Sequence, residues 1–513
     1  MNDISSNKRI VKNTLFMYVR MLLLMAISLF TTRYTFQILG VYNYGIYNIV
    51  GSIIVFFTII NNALTTATRR YITAEMVSGT LESQRRVFST AVVSHAIIAL
   101  IVVFFAEVIG VWVVNSLLII PSERMFAANV VYQLSVISAV VNMMQVPYTS
   151  VITAHEKMSI YAYFSVFEAV LKLLVVGALY FVSGDKLIIY SVMILFTSVL
   201  TRFLYRFYCK KHFYECRFES SKGNRNLLKE MFGFMGWSLL GQTAVVFTNQ
   251  GVSVLVNMYF TVIANAAMGI SNQITSIITQ FVSNFQVAFH PQITKLYVAN
   301  KYDELSNLTI RSSRMTSFLV LFFMIPIIFQ VQNFLTLWLG DYPKDAVEFC
   351  IFTLTAVFLE SVSSPFWMIN YSDTRLRSYQ IGSALIFSLC FFLGWIVLFW
   401  GFPPYSVVIV RTIVMGLTIP YRIYMVRAKV PSFPIRRWIQ EVLFTSVIVL
   451  LFPCVLMFFF NQIEIENLLL DFFINCFVCV VLMGISIYLL GLTKAERDFV
   501  NCKVHLVIQR YIR

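Results

Sequence analysis

Charge is the scarcest property of this chain. Only 12% of its 513 residues are Asp, Glu, Lys or Arg, against 59% apolar, and a soluble domain carries about twice that share of charge. Long apolar runs such as 97–114, 187–200, 318–331, 385–400 and 472–490 leave little room for a water-soluble fold. Isolated strands would leave backbone groups unpaired in hydrocarbon, so the expected fold is an all-α polytopic membrane protein. A disulfide framework is also absent. The eight cysteines show no paired spacing, and Cys476 and Cys479 form their CxxC inside an apolar helix. Cys209, His212 and Cys216 share one loop but offer three ligands and no fourth, so their spacing reads as incidental and no metal site is expected.

Catalytic signatures are lacking too. There is no DxD pair for a sugar nucleotide. Gly236, Gly241, Gln242 and Thr243 copy the spacing of a P-loop, but Gln stands where the phosphate-binding Lys belongs and the segment is intramembrane. The chain is therefore not read as an enzyme. No cofactor is called for, and a coupling ion (H+ or Na+), the membrane potential or the substrate gradient is left as the energy source. The net charge of +15 does not imply nucleic acid, because the basic residues are scattered through short loops.

Fourteen spans can be threaded, at about 14–38, 45–66, 88–113, 126–146, 159–182, 187–208, 233–257, 262–287, 314–338, 346–369, 379–400, 404–425, 441–460 and 469–491. The first apolar run carries Arg20, lacks a small-residue cleavage site and precedes many further spans, so it reads as an uncleaved helix. With both termini inside, 32 of the 39 Lys and Arg residues fall on the cytoplasmic side, whereas Arg124, Lys186 and Lys344 lie opposite. A wrong span count would scramble that asymmetry. Exterior loops are short, about a dozen residues at most, too small for a glycosyltransferase or ligase that works outside.

The most basic inner segment, 209–232, divides two comparable units. Residues 68–79 (TRRYITAEMVSG) align without gaps on 289–300 (FHPQITKLYVAN), matching Ile72 with Ile293, Thr73 with Thr294 and, further on, Glu82 with Asp303. Each segment follows the second span of its unit. Six spans per unit make the repeat parallel. The expected domains are a 1–208 N-terminal six-helix lobe, a 209–232 cytoplasmic linker, a 233–430 C-terminal six-helix lobe, and 431–513 holding two additional helices and a tail.

Arg20 and Arg33 lie within the first span, where a charge costs at least ~2.5 kcal/mol. They either snorkel to the two interfaces or meet an anionic substrate at different depths. Polar stripes run along the first two spans of each unit, including Asn61 and Asn62, Gln242 and Asn249, and Asn272, Thr279 and Gln286. Interhelical hydrogen bonding would explain each stripe singly, and a water-filled cavity explains why they recur at equivalent places. Glu168 and Lys172 stand in the favoured order for a helical ion pair. Together with His95, Glu107 and Glu360 they are the candidates for ion coupling.

The basic NKRIVKNTLF (7–16) leading into an Arg-bearing span, the ILGVYNYGIYNIV turn (38–50) and VPYTSVITAHEKMSIYAYF (146–164) resemble the polysaccharide (Wzx-type) flippases of the MOP exporter superfamily. The resemblance runs over most of 7–430 and rests on hydropathy and turn patterns. It implies two six-helix lobes in a V-shaped arrangement. It also implies transport of undecaprenyl-diphosphate-linked oligosaccharide to the outer leaflet of the bacterial cytoplasmic membrane, for surface polysaccharide such as O-antigen or capsule. The implied partners are that substrate, membrane lipids and polysaccharide polymerase machinery, with the chain itself a monomer. Arg20 and Arg33 would meet the diphosphate, although the seventh span lacks an equivalent charge. The two added spans look like those of lipid II flippases. The alternative is a MATE-type antiporter of organic cations, which would favour carboxylates where the first span has two arginines.

Overall fold

The computed structural model describes residues 2–78, 80–155, 157–217, 225–287, 289–372, 376–460, 466–498 and 501–502, with side chains described outside 2–19, 55–63, 233–245 and scattered single positions. No strand occurs among the described residues. The long helices are α1 (Asn2–Ser78), α2 (Leu81–Phe105, prolonged by π turns to Leu117), α3 (Met125–Met143) with α4 (Val146–Ala154), α5 (Met158–Ala178) and α6 (Lys186–His212). The chain continues through α7 (Arg225–Tyr259), α8 (Val262–Val287), the short α9 (His290–Val298), α10 (Tyr302–Phe329) with α11 (Val331–Leu339), and α12 (Ala346–Ser372). It ends with α13 (Leu376–Phe399), α14 (Ser406–Lys429), α15 (Ile435–Trp438), α16 (Thr445–Phe460) and α17 (Leu468–Ser486). These helices occupy the fourteen expected spans, the first two of which are joined within α1. Eleven stretches among the described residues are long and apolar enough to cross a bilayer.

Local chemistry sets the breaks. Gly40, at φ 74° and ψ 169°, kinks α1 where the first two spans were expected to part, a conformation that a side chain would strain. Thr80 caps α2 by accepting from Ser83 N, with Glu82 in the first turn, and α10 likewise begins with Asp303 and Glu304; carboxylates suit the positive end of the helix dipole. Ile72 and Ile293, the matched positions of the repeat, are both buried.

The chain forms two compact units. The first comprises Met1–Gly269 and Phe387–Val407. Small residues bring its helices close: a Cβ on Gly45 would lie 2.0 Å from Val262 O, and one on Gly269 would lie 2.6 Å from Asn48 Oδ1. Asn257 Oδ1 accepts from Ile119 N at 2.7 Å, and Thr248 Oγ1 donates to Phe387 O at 2.8 Å. At one end of this unit, Arg124 donates to both oxygens of Asp185 and to Asn43 Oδ1. Burial pushes the Asp185 carboxyl up, but the Arg124 contacts and the α6 backbone amides outweigh it and hold it below its ordinary range.

The π turn Ala106–Gly110 is built around Tyr132. Its hydroxyl donates to Ala106 O at 2.8 Å, and a Cβ on Gly110 would fall 1.8 Å from that oxygen. Glycine is therefore required by the close approach of the phenol.

The second unit comprises Ile270–Ile386 and Val408–Arg513. Proline has no N–H, so it frees the carbonyl four residues before it. Pro453 frees Val449 O, which accepts from Ser486 Oγ at 2.8 Å. Pro365 frees Ser361 O, which accepts from Ser364 Oγ at 2.8 Å and, at 3.5 Å, from Gln286 Nε2. The last two spans are joined to α10 by charge as well. Arg314, 5% exposed, donates to Glu496 at 2.8 Å and Glu441 at 3.3 Å, and Arg311 and Arg437 complete the cluster. Asn333 Nδ2 donates to Asp471 at 2.6 Å near the other end of α17.

Burial raises the Glu496 carboxyl, yet the Thr493 amide and Arg314 hold it below its ordinary value. The unfolded chain therefore takes up this proton first as pH falls, so the stabilisation is complete above about pH 4.5 and disappears below it. Thermal unfolding in detergent between pH 3 and 6 should show that slope, and Glu496→Gln should flatten it. Gly110→Ala is expected to cost about 1–3 kcal/mol. Tyr132→Phe should cost about 1 kcal/mol, and the double variant should be more stable than the sum of the two losses predicts, since removing the hydroxyl relieves the shortest contact and leaves the ring carbon at 2.7 Å to shift.

Candidate functional site

Arg20 is only partly buried on α1, and its guanidinium lies 4.7 Å from the ring centre of Tyr161 on α5. Its Nε is buried and has no hydrogen-bond partner among the described residues. Tyr205 of α6, 2% exposed, stands within electrostatic reach of Arg20, Tyr161 and Glu168 and pairs with Ser165. One turn on, Lys172 Nζ donates to Glu168 Oε1 at 2.7 Å. Residues that were separate in sequence thus meet on three helices: a guanidinium held over an aromatic face, a neutralising ion pair and two phenols. The arrangement leaves part of Arg20 open to an anionic ligand, since arginine forks match phosphate oxygens.

The other expected residues fall elsewhere. Arg33 is partly buried farther along α1. Asn61, Asn62, Gln242 and Asn249 have side chains outside the described residues. His95 is fully buried in α2, donating through Nδ1 to Ala91 O at 2.9 Å, with no partner for Nε2 among the described residues. Glu107 is exposed beside the π turn and accepts from Gln133 Nε2 at 3.1 Å.

The polar stripes divide. On α7, Ser253 and Asn257 are buried and accept bonds from Asn265 and Ile119, while Asn257 Nδ2 has no partner among the described residues. On α8, Asn272, Ser276, Thr279 and Ser283 all remain exposed along one face, while Ile274, Ile278 and Val282 bury the other. Gln286, at the end of this stripe, is buried and bonds Ser364 and Ser361 of α12. Ser276 and Ser283 donate back to Gln273 O and Gln280 O within α8, so the Asn272 amide and the Thr279 hydroxyl are the members of this exposed row that call for water or a polar ligand in an apolar setting.

Glu360 lies on α12 against a basic residue of α14. Arg422 is 5% exposed within α14 and donates to Ser363 Oγ at 2.7 Å and Glu360 O at 3.5 Å. Its burial had no signal in hydropathy; the SVSSP run at 361–365, with its hydroxyls and its proline, was the clue to a polar contact surface. Tyr161 and Tyr205 were also missed, because aromatic residues at helical spacing look like ordinary packing. Cys209 and Cys216 are both buried free thiols, and the Cys209 side chain beside Cys216, together with burial, raises the Cys216 thiol. His212 instead stacks on Tyr208.

No protein-family model and no curated protein matches this chain. The fold is similar to that of several solved structures. The lipid II flippase MurJ, in an inward closed conformation, aligns with a TM-score of 0.69 at 14% identity over 96% of this chain and 100% of that one. A multidrug resistance MATE family transporter of the MOP superfamily, inward-facing, aligns with a TM-score of 0.63 at 12% identity over 80% of this chain and 95% of that one. The Vibrio cholerae MATE transporter VcmN, in a mutant form, gives 0.55 at 15% identity over 83% and 98%.

Lys172→Met leaves Glu168 without its partner in a low-dielectric setting and is expected to lower stability by about 1–2 kcal/mol. Adding Glu168→Gln should recover most of the loss, as read from thermal unfolding of the purified protein. Equal losses in the single and double variants would argue against a neutralising pair.

Proposed function

We propose that this protein is a flippase that moves undecaprenyl-diphosphate-linked oligosaccharide from the inner to the outer leaflet of the bacterial cytoplasmic membrane by alternating access. The observation that carries the reading is the exposed polar face of α8, with Asn272, Ser276, Thr279 and Ser283 in one row. Sugar hydroxyls need such partners, and an apolar drug does not. Arg20, backed by the ring of Tyr161, and Arg33 supply cations for the diphosphate, which a charge-assisted contact stabilises by about 1.5–3 kcal/mol. The prenyl tail needs no protein polarity and can stay in lipid. Likeness to a lipid II flippase along almost the whole chain, added helices included, supports the assignment.

In this reading the working lobes are 1–208 and 233–430, both termini are cytoplasmic, and the last two helices stay with the second unit through the Arg314 cluster. Glu168, Lys172, His95, Glu107 and Glu360 are the residues to test for ion coupling. The likeness to MATE transporters makes extrusion of organic cations the competing reading, against which stand two arginines and no carboxylate in the first span.

Purified protein in liposomes should translocate a fluorescent undecaprenyl-diphosphate oligosaccharide. Arg20→Ala and Arg33→Ala should each slow it about tenfold or more, and Asn272→Leu with Thr279→Leu should weaken sugar-dependent binding while leaving insertion intact. In cells the arginine variants should accumulate lipid-linked oligosaccharide on the inner leaflet. Normal surface glycan in these variants, or efflux of organic cations by the wild-type chain, would reject the proposal.

A further inference from the structure

Arg202, Arg206 and Lys210 stand four residues apart on α6 and form a cationic ladder about 12 Å long. Arg202 is partly buried, and Arg206 and Lys210 are exposed. Arg202 and Arg206 face each other and the Tyr148 phenol of α4 within electrostatic reach. Like charges at this spacing repel. Among the described residues no carboxylate lies within ion-pair distance of any of the three. Of the nearby acidic groups, Glu215 is engaged by His155, Glu168 by Lys172 and Glu82 by Arg86.

The helix dipole accounts for Lys210, in the last turn, but not for Arg202, ten residues before the end of α6, since that effect fades within one turn. A general bias of basic residues toward one side of the membrane explains their number but not their alignment or their lack of partners. Beside the ladder, Phe196, Phe203 and Phe207 project from the neighbouring face with 67%, 62% and 60% exposure. The rings of Phe203 and Phe207 stack at 6.3 Å. Cations at a span terminus beside open aromatic rings match the two halves of a phospholipid, its phosphate and its acyl chains.

We infer that this face of α6, with Tyr148 of α4, is a binding site for an anionic phospholipid of the adjacent leaflet. The phosphodiester bridges Arg202 and Arg206 and relieves their repulsion, Lys210 meets the outer part of the headgroup, and the acyl chains lie along the three phenylalanines. The site does not depend on the transport reading, because its ligand is a resident lipid and none of its residues belongs to the proposed substrate path.

Native mass spectrometry of the full chain, delipidated and titrated with phosphatidylglycerol or phosphatidylcholine, tests this assignment. Wild-type protein should retain phosphatidylglycerol selectively, and Arg206→Gln should weaken it about tenfold, with a larger loss in the Arg202→Gln, Arg206→Gln pair. Arg206 is exposed, so its single substitution leaves the fold intact and the test readable. Arg85→Gln with Arg86→Gln, a cationic pair with partners of its own, should lose less than about twofold. Equal losses at the two pairs would reduce the site to diffuse surface charge, and unchanged retention in Arg206→Gln would overturn it. Retention of added undecaprenyl diphosphate in place of phosphatidylglycerol would also overturn it.

Discussion

Every polar backbone group in a hydrocarbon setting must find a partner within the protein, and this requirement decides how the helices can be interrupted. At two prolines and one π turn of this chain a nearby side chain donates to the backbone carbonyl at the break. Pro453 frees a carbonyl that Ser486 fills, Pro365 frees one that Ser364 and Gln286 share, and the Ala106 carbonyl at the π turn takes the phenol of Tyr132. Proline and π turns bend helices, and the compensating side chains bind each bend to an adjacent helix. The kinks are therefore tied into the packing.

Charge obeys the same rule with larger penalties. The buried guanidinium of Arg314 is met by two glutamates, and Arg124 by Asp185 and Asn43. Arg422 is the exception, buried against a hydroxyl and a carbonyl. Arg20 and the ladder of α6 have no carboxylate partner among the described residues, and an anion from outside the chain is the proposed ligand there. Paired cations join elements, and unpaired cations are available to ligands. That distinction separates architecture from candidate sites more sharply than residue type does.

Much of the architecture was legible from residue order. The helices occupy the expected spans because apolar runs of about twenty residues have few alternatives in a bilayer. The kink in α1 falls at Gly40, within a turn read as such. The candidate site was legible only in part. Asn272, Ser276, Thr279 and Ser283 of the α8 stripe are exposed, whereas its last member, Gln286, turns inward, and Ser253 and Asn257 of the α7 stripe take part in interhelical bonds. Periodicity identifies a polar face without saying whether another helix covers it.

Composition and order alone determined that this chain is helical and roughly where its apolar spans run, since those follow from transfer free energy and backbone hydrogen bonding. Only the tertiary structure decided which polar groups are already satisfied. It buried Arg422 and Arg314, both counted among the basic residues of the cytoplasmic side, and it set Tyr161 over Arg20. Pairing depends on distances between residues far apart in the chain, and no local pattern encodes them.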